Sequence, residues 1–145
     1  MKIQQTRNTM STTYLDAMKI RQLVFVKGQG ISKSLEIDQD ETRCLYFVLY
    51  SDSDKPLATC RMLPNSDNNE VILQRMAVLP DYRGQHLGRL LLDHVLSFCA
   101  EQRISKIVLH AQTSVLGFYQ KMGFKQFGSE FEEAGIKHLM MEKEL

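Results

Sequence analysis

Residues 73–90, LQRMAVLPDYRGQHLGRL, run from a strand-like apolar stretch through a proline turn into a glycine-bracketed loop that opens onto a helix. A strand feeding a helix over so short a loop commits the chain to an α/β crossover, and it leaves the helix N-terminus open. Arg83, Gly84 and Gly88 give that junction its chemistry. Glycines let backbone N–H groups approach an anion closely, and a helix start adds unpaired donors and the positive end of its dipole. A pair of linked phosphoryl groups fits there.

The elements around the junction follow from pattern. A strand is expected near residues 2–7, then Ser11, Thr12 or Thr13 as helix cap. The helix should run to about Phe25, with Leu15, Met18 and Gln22 or Leu23 at helical spacing. Segments 43–50, 57–63 and 70–78 are aliphatic, aromatic and β-branched between turn formers, so they read as three antiparallel strands. The polar stretches 51–56 and 65–70 are their connections, and 28–41 is irregular. From Leu87 to Gln102, Leu87, Leu91, Val95 and Phe98 repeat at helical spacing without a proline. The crossover to KIVLHAQ (106–112) makes a parallel pair with 70–78, and residues 135–145 are expected to add the closing strands beside it. The sheet is therefore mixed.

Composition excludes several partners. Eighteen basic residues nearly balance seventeen acidic ones with no lysine or arginine run, so no concentrated positive surface exists for nucleic acid or an anionic membrane. Cys44, Cys60 and Cys99 are isolated within apolar segments, which signals neither a disulfide framework nor a metal site. The N-terminus is too polar for a secretory leader, and no apolar run approaches the ~20 residues of a membrane span, so a cytoplasmic location is expected. With 145 residues and no repeat or linker, residues 1–145 are read as one domain.

The loop R-G-Q-H-L-G (83–88) resembles the pyrophosphate-binding signature of the GNAT superfamily of N-acetyltransferases, Q/R-x-x-G-x-G/A, with His86 where that family usually has its first glycine. The segment 114–128 resembles the same family's block ending Y-x-K-x-G-F, here Tyr119, Lys121, Gly123 and Phe124. Segments 24–41 and 131–143 are similar to the flanks of a small-enzyme branch of that superfamily. The resemblance implies an α/β (α+β) fold: a mixed, mostly antiparallel central sheet with a parallel splayed strand pair and helices on both faces. It also implies acetyl-coenzyme A as cosubstrate, no metal, and frequently a homodimer, which exposed apolar edges around Met140 and Met141 would support.

Carried over residue by residue, the resemblance places the pantetheine arm along the main chain of Met76, Ala77 and Val78. Arg83, Gly84, Gln85, His86, Leu87 and Gly88 would surround the pyrophosphate, and Ser114, Phe118 and Lys121 would complete the cofactor side. Met76 and Val78 can pack in the core at the same time, since only their backbone would bind. His86 either crowds the phosphates or offers them an imidazole donor.

Transfer to an amine asks for a proton acceptor, a donor to the oxyanion and a donor to the leaving thiol. Tyr119 matches the family's tyrosine beside the coenzyme sulfur; its other reading is a helix residue packing beside Phe118. His138, in GIKH, resembles a base-bearing segment; His110 competes, a water relay to Glu36 stays open, and His94 reads as a surface residue. Lys27 and Gly28 stand where relatives often carry two glutamates, which disfavours a strongly cationic acceptor. Arg21, Arg61 and Arg75 could pair with a carboxylate or phosphate on the acceptor, or be solvated; alternation would put Arg75 and Met76 on opposite strand faces. The expected acceptor is the primary amine of a small molecule, with a protein or peptide acceptor, or a non-catalytic acyl-coenzyme A sensor, as the alternatives.

Overall fold

The computed structural model describes residues 1–65 and 69–145, so the centre of the polar connection 65–70 lies outside the described residues. Among the described residues seven strands form one sheet: β1 Lys2–Thr6, β2 Leu45–Tyr50, β3 Pro56–Asn65, β4 Glu70–Val78, β5 Lys106–Gln112, β6 Lys125–Glu133 and β7 Ile136–Glu144. Their spatial order is β1-β2-β3-β4-β5-β7-β6. Only β4 and β5 run parallel; the other neighbours are antiparallel, which is the mixed sheet expected.

Helices cover both faces. On one side lie α1 (Thr12–Arg21), a π-helical continuation over Gln22–Gly28 and the single turn α2 (Lys33–Glu36). On the other lie α3 (Leu87–Glu101) and the short α4 (Leu116–Lys121). All six residues of β2 are buried, because alternate side chains serve the two layers: Tyr46, Val48 and Tyr50 meet α1, while Leu45, Phe47 and Leu49 meet α3. Leu91, Leu92 and Val95 of α3 are fully sealed, each contributing roughly 1.5–3 kcal/mol of burial.

Ser11 caps α1, its hydroxyl accepting from the Tyr14 N–H at 3.2 Å. The buried face of this helix is not the expected stripe. Leu15 and Leu23 are about half exposed, and Ala17, Ile20, Arg21 and Val24 face the sheet instead. An arginine occupies the inward position because carboxylates wait for it there, and hydrophobic periodicity alone cannot register that.

α3 buries Leu87, Leu91 and Val95 of its expected stripe and adds Leu92 and Cys99, while Phe98 is only half-buried. His94 is half-buried rather than on the surface, edge-on to Phe47 at 5.9 Å. Among the described residues no helix is long and apolar enough to cross a membrane.

Candidate active site

The site begins where a ladder stops. β4 and β5 pair from Glu70↔Lys106 to Leu73↔Leu109 and no further. Against β3, residues Gln74–Ala77 of β4 span Arg61–Thr59, so β4 carries one extra residue. That bulge sits at Arg75, whose φ is +57°. Beyond it β4 stays with β3 and β5 stays with β7, and the two diverge around a cleft of about 1090 Å³. Arg75 and Met76 still point to opposite faces as expected, Arg75 toward Asp38 and the Glu36 carbonyl and Met76 onto the α3-side core, although both border the cleft.

Met76, Ala77 and Val78 form one wall, with no strand pairing across to β5. Met76 and Val78 also pack against the α3-side core, so side-chain packing and an open backbone edge coexist. At the end of β4 the Arg83 Nε donates to the Val78 carbonyl at 3.1 Å.

Arg83, Gly84, His86, Leu87 and Gly88 all line the cleft, whereas Gln85 does not. Gly84 and His86 both adopt left-handed backbone, at φ +81° and +62°. His86 thus holds the conformation for which a glycine is the ordinary choice, and its side chain lies exposed at the rim. The first bond into α3 runs from the Leu90 N–H to the His86 carbonyl at 3.0 Å, and no side chain caps the helix. The N–H groups of Leu87, Gly88 and Arg89 are therefore free of helical partners at the cleft. A Cβ on Gly88 would stand 3.4 Å from Phe118 Cζ and 3.6 Å from Val78 Cγ2, so glycine lets the helix start lie close against α4 and β4. Ser114, Phe118 and Lys121 line the same side.

Tyr119 is fixed by the turn that ends α4. Gly123 takes φ +93° just past the helix, and the Phe124 N–H bonds back to the Tyr119 carbonyl at 3.0 Å. Phe124 is then buried with its ring 5.8 Å from that of Tyr119. Tyr119 is 8% exposed and lines the cleft, and among the described residues its hydroxyl has no hydrogen-bond partner. Burial, with a smaller effect of the nearby Cys60 thiol, pushes its phenol above the ordinary value.

Both candidate histidines reach the cleft. His138, on β7 opposite Gln112 of β5, is 8% exposed and its Nδ1 lies 2.7 Å from the Ile136 carbonyl. A carbonyl can only accept, so Nδ1 carries the proton and Nε2 is the nitrogen free to take one. His110 is more open, with Nδ1 at 3.1 Å from Glu133 Oε2. The Phe131 ring lies between them, stacked on His138 at 5.8 Å and edge-on to His110 at 5.5 Å.

The arginines expected to meet an acceptor carboxylate are engaged within the protein. Arg21, 1% exposed, donates to both oxygens of Glu36 at 2.6 Å and to both of Glu41 at 2.9 and 3.0 Å, and it does not line the cleft. Arg61 is sealed between Glu41 at 2.9 Å and Asp38 at 2.8 Å. Arg75 borders the cleft but donates to Asp38 at 3.2 Å and to the Glu36 carbonyl at 3.1 Å. Three guanidiniums and three carboxylates thus cancel, and Glu36, held by Arg21, is no free end for a water relay. Desolvation alone would raise the Glu41 carboxyl, but the Arg21 hydrogen bonds and charge hold it far below the carboxylate range.

Two features escaped the sequence reading. Glu133, the last residue of β6, enters the cleft through the Ala134–Gly135 turn, whose φ values of +54° and +76° make it a tight hairpin without the usual Asn-Gly signal. Gln29 and Gln112 exchange side-chain amide hydrogen bonds at 3.1 and 3.0 Å, bridging the segment after α1 to the end of β5 at the rim.

Residues 24–145 match the acetyltransferase (GNAT) domain family. The chain is 32% identical over 142 residues to YyaT of Bacillus subtilis, covering 96% of this chain and 94% of that one. It is 33% identical over 130 residues to the uncharacterized N-acetyltransferase YjcF of the same organism, covering 89% and 91%. A Lactobacillus plantarum protein of known crystal structure, assigned by similarity as an N-acetyltransferase, superposes with a TM-score of 0.91 at 28% identity, over 99% of this chain and 97% of that one.

Proposed function

The chain belongs to the GNAT family of acyl-coenzyme A-dependent acetyltransferases, and we propose that residues 1–145 act as one domain moving the acetyl group of acetyl-coenzyme A onto the primary amine of a small molecule. The observation that carries this reading is the divergence of β4 from β5 beside an uncapped helix N-terminus. The α3 amides and Arg83 would hold the pyrophosphate, with Lys121 nearby, and the open edge of Met76–Val78 would pair with the pantetheine arm.

The reaction is direct attack. His138 Nε2 takes a proton from the incoming ammonium, and the freed amine adds to the thioester carbonyl. A main-chain N–H near Val78 stabilises the tetrahedral oxyanion. As the C–S bond breaks, Tyr119 donates a hydrogen bond to the sulfur, and the second proton, shed by the nitrogen as it becomes an amide, neutralises the departing thiolate. The raised Tyr119 phenol keeps its proton against a thiol of ~8.5, so it stabilises the departing thiolate rather than surrendering the proton outright.

The paired Gln29 and Gln112 amides favour a small acceptor over a protein lysine, because they bridge the rim that a polypeptide would have to cross. Thiol release from acetyl-coenzyme A, measured across a panel of small amines and lysine peptides, tests the assignment. Calorimetric binding of acetyl-coenzyme A with no amine-dependent release would make the protein a sensor instead; release with peptides alone would reverse the choice of acceptor.

A further inference from the structure

Three carboxylates line the cleft among the described residues: Glu36, Asp38 and Glu133. Glu36 is closed by Arg21, and Asp38 is shared by Arg61 and Arg75. Glu133 differs. It is about half exposed and touches no lysine or arginine, only the imidazole of His110 at 3.1 Å. The charge that the acceptor side offers a ligand is therefore concentrated at one residue.

Its position suits recognition. Glu133 pairs with Ile136 across the hairpin, and the Ile136 carbonyl is the group that orients His138. One tight turn thus sets both the carboxylate and the proposed proton acceptor. The neighbouring strands place His110 from β5, His138 from β7 and Arg75 from β4 around the carboxylate. The hydrogen bond from His110 holds the Glu133 carboxyl below its ordinary range, so it is an anion at neutral pH. No arginine on this side is left for an acceptor carboxylate, since Arg21, Arg61 and Arg75 are all engaged.

Resting on the acetyltransferase reading above, and against the expectation drawn from Lys27 and Gly28, we propose that Glu133, braced by His110, selects acceptors bearing a second cationic group, so that a diamine is preferred over a monoamine and an amino acid is disfavoured. One ammonium is the nucleophile after losing its proton at His138; the other stays charged and donates to the free lobe of the Glu133 carboxylate.

Diaminobutane, butylamine and aminobutyrate share one chain length and separate these cases. In the wild-type enzyme, kcat/KM for diaminobutane should exceed that for butylamine by about tenfold, with aminobutyrate the poorest, as one added charge-assisted hydrogen bond implies. Glu133→Gln should bring the diamine-to-monoamine ratio to about one, and Glu133→Asp should restore part of it. Because the ratio is taken within each variant, loss of folded protein does not move it. A ratio unaffected by Glu133→Gln, or a wild-type preference for aminobutyrate, overturns the proposal. Turnover without Glu133-dependent preference removes this inference alone. No turnover of any of the three, with acetyl-coenzyme A still bound in calorimetry, removes the small-amine reading and this inference together.

Discussion

Arg75 donates to the main-chain carbonyl of Glu36 at 3.1 Å, so the residue whose left-handed backbone makes the bulge in β4 also ties down the α2 turn across the cleft. Strand divergence and acceptor wall are set by one side chain. Arg75→Ala removes the tether and leaves a Cβ in left-handed backbone, with an expected cost of about 2 kcal/mol. Arg75→Gly removes the same tether but relieves the backbone, and should be more stable than the alanine variant by about 0.5–1 kcal/mol. Urea unfolding midpoints ordered wild type, glycine, alanine are expected; alanine equal to or above glycine would show that the bulge holds no strain.

His86 offers the same contrast at the helix start. At φ +62° it stands where glycine carries no Cβ penalty, while the amides that face the cleft belong to the backbone. His86→Gly should therefore keep stability within about 0.5 kcal/mol and acetyl-coenzyme A affinity within about threefold. His86→Val, β-branched and ill suited to that backbone, should lose about 1–2 kcal/mol and weaken the cofactor by more than tenfold. Calorimetry on both variants decides whether conformation or imidazole matters; a glycine variant that binds as poorly as valine would assign the imidazole a direct contact.

What the sequence disclosed and what it hid divide along physical lines. β2, β3, β4 and the β4–α3–β5 crossover are legible because aliphatic runs, turn formers and helical spacing are local signals. The inward face of α1 is not, since Arg21 faces in only because Glu36 and Glu41, distant in sequence, neutralise it. β6 is hidden for another reason: its residues are largely exposed, Gly128 breaks it at φ +74°, and no alternation marks it. Losing β6 also hides Glu133, whose role depends on a strand end beside His110. Tyr119 and the 83–88 loop could be placed beside the cleft from sequence because both lie in short contiguous motifs.

Glu41 predicts the acid behaviour of the fold. Its carboxylate accepts from Arg21, Arg61, Tyr14 and Tyr46, and the hydrogen bonds and charge of Arg21, helped by the Asp38 N–H and the Tyr46 hydroxyl, overcome desolvation and hold its titration far below that of an unfolded glutamate, at ~4.3. A folded value below the unfolded one means that the stabilisation is fully present above ~4.3 and is lost as pH falls through the folded value. Glu41→Gln should cost about 3–5 kcal/mol near neutrality, because two buried guanidiniums lose a counter-charge, and should flatten the pH dependence. Urea midpoints between about pH 7 and pH 3 measure both. A variant as acid-sensitive as the wild type would move the effect to other carboxylates.

His138 is tested by the shape of a rate profile. With Nδ1 committed to the Ile136 carbonyl, only Nε2 can take a proton, and only from the neutral ring. kcat/KM should therefore fall on the acid side in the wild type. His138→Ala should lower the plateau by about 100-fold and abolish that limb. An alanine variant with the same profile would leave His138 a packing residue on Phe131.

Tyr119→Phe separates packing from chemistry at the leaving group. The ring contacts with Phe118 at 5.0 Å and Phe124 at 5.8 Å survive the change, and no hydrogen bond to the protein is lost among the described residues. Stability should stay within about 0.5 kcal/mol, and acetyl-coenzyme A affinity should hold, since the hydroxyl is proposed to act on sulfur only once charge develops there. kcat should fall by about 10- to 100-fold. Because burial pushes the phenol up, the wild-type rate should show no loss traceable to this group below about pH 10. A leaving thiol of lower basicity needs less help, so an acetyl-coenzyme A analogue fluorinated on the cysteamine carbon β to the sulfur should narrow the gap between tyrosine and phenylalanine. An equal gap for both donors would mean that Tyr119 shapes the pocket and does not assist departure of the sulfur.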